Sequence, residues 1–195
     1  MATVLRPSYL TVALCNNYLV GSPLKGFGAV FMKAEHDTGI AADLMMAICK
    51  QESNLGRHGW SKPPYNNCTN WGIGDVTVTG EGRFASLTEC ITNTFKWVKE
   101  RHLNPSNWRY KKAKAAGLDP LSVEGIGLNY ASDKGWPAAV NRIQKEILTF
   151  MPEEVSVKQE STYDGTFNVP VAWDEPMTRL TYAWIRHKER KGGTA

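Results

Sequence analysis

Through the first 150 positions apolar residues recur at three- and four-residue intervals, with Gly, Pro and Asn breaking the runs. That is the pattern of an α-rich domain. Residues 8–20 predict a short helix with Leu10, Leu14 and Tyr18 on one face, closed by Gly21-Ser22-Pro23. Pro23 then opens a second helix, in which Leu24, Phe27, Val30, Phe31 and Ala34 make one buried stripe that ends at Asp37-Thr38-Gly39. A third helix, from about Ala41 to Leu55, is the most apolar in the chain and stops at Gly56. A loop rich in Gly, Pro and Asn follows, from Arg57 to Asn70. Ile73, Val76 and Val78, then Gly80-Glu81-Gly82 and Phe84, predict a β-hairpin.

Ser86-Leu87-Thr88-Glu89 reads as a capping box that starts a helix burying Ile91, Phe95 and Val98. Asn107 to Ala116 is a basic helix carrying Arg109, Lys111, Lys112 and Lys114, and a solvated face accounts for those charges. Leu121–Leu128 and Pro137–Phe150 complete a mainly α domain with one small hairpin. After Pro152 the character changes. Glu153 to Asp164 is polar and linker-like, Phe167, Val169, Val171 and Trp173 alternate as in a strand, and Met177–Ile185 predicts a short helix before the basic end Arg186–Lys191. The expected organisation is an N-terminal helical arm over 1–22, a main α domain over 23–152, which would hold any catalytic site, and an accessory extension over 153–195.

The net charge of +4 suits a polyanionic partner but is too mild to imply DNA binding, and no nucleic-acid motif accompanies it. Cys15, Cys49, Cys68 and Cys90 have no C-x-x-C spacing and no paired histidines, which argues against a zinc site. Free thiols are expected, Cys49 buried in an apolar helical run, and neither metal nor cofactor is called for. No segment has the length of a membrane span. The first residues lack the basic and apolar regions of a signal peptide, so the expectation is a chain made in the cytoplasm.

The residue that carries chemistry is Glu52. Met45, Ile48 and Cys49 precede it by seven, four and three residues, so it falls on the apolar side of the third helix. Burial disfavours a carboxylate, and so does the C-terminal end of a helix. Both push its pKa up, as a general acid near neutral pH requires. A capped or salt-bridged glutamate at a helix end is the plain alternative.

Lys50-Gln51-Glu52-Ser53-Asn54-Leu55-Gly56 is followed by Asn70-Trp71-Gly72-Ile73 and, much later, by Tyr130-Ala131-Ser132-Asp133 with Trp136. Together with the opening Leu24-Lys25-Gly26-Phe27-Gly28 and Phe31, this order resembles the glucosaminidases of glycoside hydrolase family 73, over roughly Pro23 to Met151. The resemblance implies a lysozyme-like fold and hydrolysis of the β-1,4 bond between N-acetylglucosamine and N-acetylmuramic acid in peptidoglycan. It makes Glu52 the general acid, Tyr130 a groove tyrosine, and Asn70 and Trp71 the flanking segment, with Trp136 nearby. Where the family often has two hydrophobic positions, Thr69-Asn70-Trp71 has a single aromatic. It places a second carboxylate near the hairpin, where Glu81 and Asp75 are the candidates and Glu81, at the tip, is favoured. Glu89 is better read as a capping partner and Asp133 as a cap for the last helix.

The Glu52-Ser53 pair also fits a lytic transglycosylase, and a muramidase would act on the same glycan. From another class, a non-catalytic wall-binding or virion structural protein is the alternative, against which the buried Glu52 argues. A wall-degrading domain with these features reads as a bacteriophage product, an endolysin or a virion tail lysin. Its partners would be peptidoglycan strands and, through the extension, other virion proteins, with neither nucleic acid nor membrane among them.

Overall fold

In the computed structural model, residues 3–73 and 82–150 are described below, and they belong to one unit, Met1–Phe150. The expected hairpin, with Asp75 and Glu81, falls largely outside the described residues, as does the extension 153–195. The helices are α1 (Val12–Tyr18), α2 (Gly28–Thr38), α3 (Ala42–Ser53), α4 (Leu87–Trp97), α5 (Trp108–Ala115), α6 (Val123–Tyr130) and α7 (Trp136–Thr149). Among the described residues the β pairing consists of isolated bridges, such as the antiparallel one between Leu5 and Ile40. The chain is mainly α.

Helix α3 lies at the centre. Every residue from Ala42 to Cys49 is buried, so in place of the apolar stripe expected there the helix is enclosed on all sides until its last turn, with Asp43 the one charged group among apolar side chains. Helix α7 packs along α3, α2 along α4, and α1 on α2. Phe31, Phe95, Ile91 and Ile126 fill the space between them.

Helix α2 begins at Gly28, not at Pro23. Gly26 adopts φ +86°, which no right-handed helix permits, and Ser22 Oγ accepts from Leu24 N to make a separate turn. Gly28 sits where α1 and α2 cross most closely. A Cβ there would lie 2.5 Å from Val12 O, and its N–H donates to Asn16 Oδ1 at 2.8 Å.

The serine half of the capping box forms as expected, with Ser86 Oγ accepting from Glu89 N at 3.1 Å, whereas Glu89 Oε2 accepts from Ala85 N, one residue before the cap, at 2.6 Å. Past Trp97 the chain continues as a π-helical turn, Val98–His102, that the apolar spacing does not announce. Helix α6 runs two residues further than predicted, to Tyr130. At the start of α7 the N-cap is Gly135, and Asp133 stands two residues earlier, with Oδ1 accepting from Gly135 N.

The first residues are built into this core. Val4, Leu10, Cys15 and Leu19 are buried. Arg6 Nη2 donates to the fully buried Asp43 at 2.6 Å, and Asp43 Oδ2 also accepts from Gln144 Nε2 of α7 at 3.0 Å. Glu35 accepts from Ser8 N and Ala42 N, joining the N-terminal segment to the start of α3.

Candidate active site

Helix α3 delivers Glu52 on its last turn and then stops abruptly. Asn54, Leu55 and Gly56 follow in left-handed conformations, with φ of 50°, 58° and 86°. A glycine and an asparagine tolerate this region, but a leucine there is strained and must be held by its surroundings. Leu55 is 5% exposed, which is what holds it. Ser53 Oγ lies 2.9 Å from Cys49 O and 2.8 Å from Cys68 O and accepts from Gly56 N. The hydroxyl after Glu52 is thus spent on backbone, fastening the helix end to the loop that carries Asn70.

Each oxygen of Glu52 receives one donor. Trp136 Nε1 donates to Oε1 at 2.6 Å, and Asn70 Nδ2 donates to Oε2 at 2.9 Å. The same Asn70 amide reaches the main-chain oxygen of Glu52 at 3.2 Å, gripping the residue at both ends. Asn70 does this from φ 52°, a conformation asparagine adopts at low cost. The loop around it is set by the buried Asn67, whose Nδ2 donates to Trp71 O at 2.8 Å and Gly82 O at 3.0 Å.

An aromatic wall stands beside the carboxylate. Tyr130 stacks on Trp136 with centroids 5.0 Å apart, and its hydroxyl donates to Thr69 O at 2.7 Å. Trp71 lies 5.6 Å from Tyr130, 5.6 Å from His102 and 5.3 Å from Trp97. Glu52, Asn70, Trp71, Tyr130 and Trp136 therefore come together from three separate stretches of chain. Trp71 and Trp136 are buried inside this wall, 7% and 2% exposed. Trp136 reaches Glu52 through its N–H, not as an open ring. Asp75 and Glu81 lie outside the described residues. Sequence reading missed Asn67, which in an Asn-Asn pair has only the composition of a turn, and the part of Trp97 and His102 in the wall.

Burial raises the pKa of Glu52, and the donors Trp136 and Asn70 pull it partly back. Burial, with the charge of Glu52 beside it, holds the Tyr130 phenol well above its ordinary value. His102 is pushed the other way, down to about 3, by burial and by the Arg109 and Arg101 charges. It stays neutral at neutral pH.

Solved structures share this architecture. Over 75% of this chain and 70% of the other, it superposes with a TM-score of 0.58 and 14% identity on a catalytic Glu-to-Ala mutant of S. aureus autolysin E in complex with the disaccharide NAG-NAM. The fold is the lysozyme-like fold of autolysin E. A second structure of that protein, in complex with the muropeptide NAM-L-Ala-D-iGlu, matches with the same TM-score at 15% identity, over the same 75% and 70% of the two chains. No family model and no curated protein matches the chain.

The clamp on Glu52 makes a pH prediction. Trp136→Phe keeps the ring in the wall and removes the donor to Oε1, so the pKa of Glu52 should rise further. A general acid, the role proposed for Glu52 below, works only while protonated. The alkaline limb of the pH–rate profile is therefore expected to move to higher pH in the variant. The maximal rate should fall about ten- to a hundredfold as the carboxyl loses its alignment. An alkaline limb that stays in place or moves to lower pH would dissociate Trp136 from the acid.

Proposed function

We propose that this chain is a peptidoglycan hydrolase that cleaves the β-1,4 bond between N-acetylglucosamine and N-acetylmuramic acid, with Glu52 as its general acid. The observation that carries this reading is a carboxyl group whose pKa burial raises, aimed by two donors from distant parts of the chain. Its setting supports the same reading, since the fold is shared with a protein whose structures hold NAG-NAM and a muropeptide. In the reaction, protonated Glu52 gives its proton to the glycosidic oxygen as the bond to the anomeric carbon lengthens. Asn70 and Trp136 then stabilise the carboxylate left behind, because hydrogen bonds to the charged form favour it.

Ser53 is occupied by backbone partners, so the Glu-Ser pair adds no second catalytic group. The remaining role, activating water or stabilising the oxocarbenium-like centre, is assigned to the 74–81 segment, with Glu81 ahead of Asp75. Glu81→Gln is expected to slow turnover more than Asp75→Asn. Near-parental rates in both would favour participation of the sugar's own acetamido group.

Mass spectrometry of glycan digested by the full chain tests the bond. Reducing-end N-acetylglucosamine is the expected product. Reducing-end N-acetylmuramic acid would make the protein a muramidase, and an anhydro-sugar a lytic transglycosylase.

A further inference from the structure

Apart from the basic end Arg186–Lys191, the chain's excess positive charge is gathered in one stretch. Seven of its 23 Lys and Arg, and one of its 19 Asp and Glu, lie between Lys96 and Leu118. This stretch carries a net +6, while the rest of the chain carries a net −2. Its one acid, Glu100, stands 3.9 Å from Lys96. Lys111, Lys112 and Lys114 of α5 are exposed, and none of them makes an ion pair among the described residues.

Beside them Trp108 is 57% exposed, with the Arg109 guanidinium 4.5 Å and Lys112 Nζ 5.9 Å from its ring centroid. Helix α5 is fixed against α6, the helix that ends in Tyr130, through the buried Ala113 and a hydrogen bond from Asn129 Nδ2 to Arg109 O at 3.4 Å. The π-helical turn next to it holds Arg101 5.9 Å from the ring of Trp71 and 5.5 Å from that of Trp97. The cationic strip thus begins at the aromatic wall beside Glu52 and runs out along α5.

We propose that α5 and the π-helical turn form a binding surface for a phosphodiester-linked polyol polymer of the wall, of the teichoic type. The surface would hold the protein on the wall next to the glycan it cuts, and in that respect the inference rests on the hydrolase reading above. The chemistry favours such a polymer over a membrane. An interfacial helix needs a continuous apolar face. Helix α5 has one large exposed apolar side chain, Trp108, and cations already lie against its ring. Lysines act as point charges and suit successive phosphodiesters without demanding a paired planar geometry.

The test uses the full chain and its triple variant Lys111→Gln, Lys112→Gln, Lys114→Gln. Lysine and glutamine have similar helix propensities and all three side chains are exposed, so the fold is preserved. Binding is measured to Gram-positive sacculi with their teichoic polymer intact or stripped by cold hydrofluoric acid, and to soluble poly(glycerol phosphate). The parent is expected to bind intact sacculi about ten- to a hundredfold more tightly than stripped ones, with the difference fading as salt is raised. The variant should lose that difference while cleaving stripped sacculi at the parental rate.

Equal binding to intact and stripped sacculi, or parental binding by the variant, would overturn the proposal. So would tighter binding to phosphatidylglycerol vesicles or to single-stranded DNA than to poly(glycerol phosphate). A parent that cleaves no glycan at all would sink the hydrolase reading, and poly(glycerol phosphate) binding would still decide this one.

Discussion

Glu52→Gln is expected to give a folded protein whose glycan cleavage falls about 10²–10⁴-fold, equivalent to ~3–5 kcal/mol of transition-state stabilisation. Glutamine has the shape of the glutamate but no proton to give. Its oxygen can still accept from Trp136 Nε1, and its amide can donate to Asn70 Oδ1, which is buried with no partner among the described residues, once the Asn70 side chain turns over and gives up its bond to the residue's main-chain oxygen. The exchange is therefore sterically mild.

Stability should move in a defined direction. Because burial raises the pKa of Glu52 above its unfolded value, its favourable contribution is complete below the unfolded pKa and is lost as pH rises through the folded one. The variant should gain on the parent in thermal melts on going from pH 4 to pH 8. Parental clearing of walls by a purified, folded Gln variant would remove Glu52 from the mechanism.

The largest stability effect is expected at Arg6→Ala. Asp43 is fully buried, and Arg6 is its ion-pair partner. Removing one member of a buried pair leaves an uncompensated charge, at a cost of about 3–5 kcal/mol. For a unit of this size that is on the order of 10 °C in melting temperature. Burial already raises the pKa of Asp43, with the Arg6 charge opposing it. Without Arg6 it rises further, so the destabilisation should be largest near pH 8 and shrink as pH falls and the carboxyl becomes neutral. Asp43→Asn in the same chain should recover part of the loss, which a double-mutant cycle would read as coupling. A melt unchanged from the parent's would mean that residues 1–22 are an appendage and not part of the core.

The order of helices was legible because burial imposes a period of three to four residues and because glycine and serine mark the ends. Gly39 closes α2 in the left-handed conformation and Ser86 caps α4 as their positions suggest. The start of α2 was misplaced since a proline after a break reads as a helix opener, whereas Gly26 makes the chain turn once more. Glu52 was visible from its spacing on one helix. The clamp was not, because Trp136 lies 84 residues away and Asn70 acts from a loop with no period. Trp71 and Trp136, which the resemblance sets at the groove, are mostly interior, a distinction that depends on which elements cover the ring.

The four cysteines offer an unplanned clock. All are buried thiols, and burial raises those of Cys15, to about 12, and of Cys90. Cys68 Sγ lies 3.8 Å from Cys49 Sγ and 3.7 Å from Cys90 Sγ, which places three thiols at the seam where α3, the Asn70 loop and α4 meet. An alkylating reagent can reach that seam only when it opens, because the reactive species is an exposed thiolate. Labelling of Cys49, Cys68 and Cys90, followed residue by residue, would therefore time the opening of the scaffold behind Glu52 without any engineered probe. Glycan that tightens the site should slow all three labels together, whereas Cys15, on α1, would keep its own time.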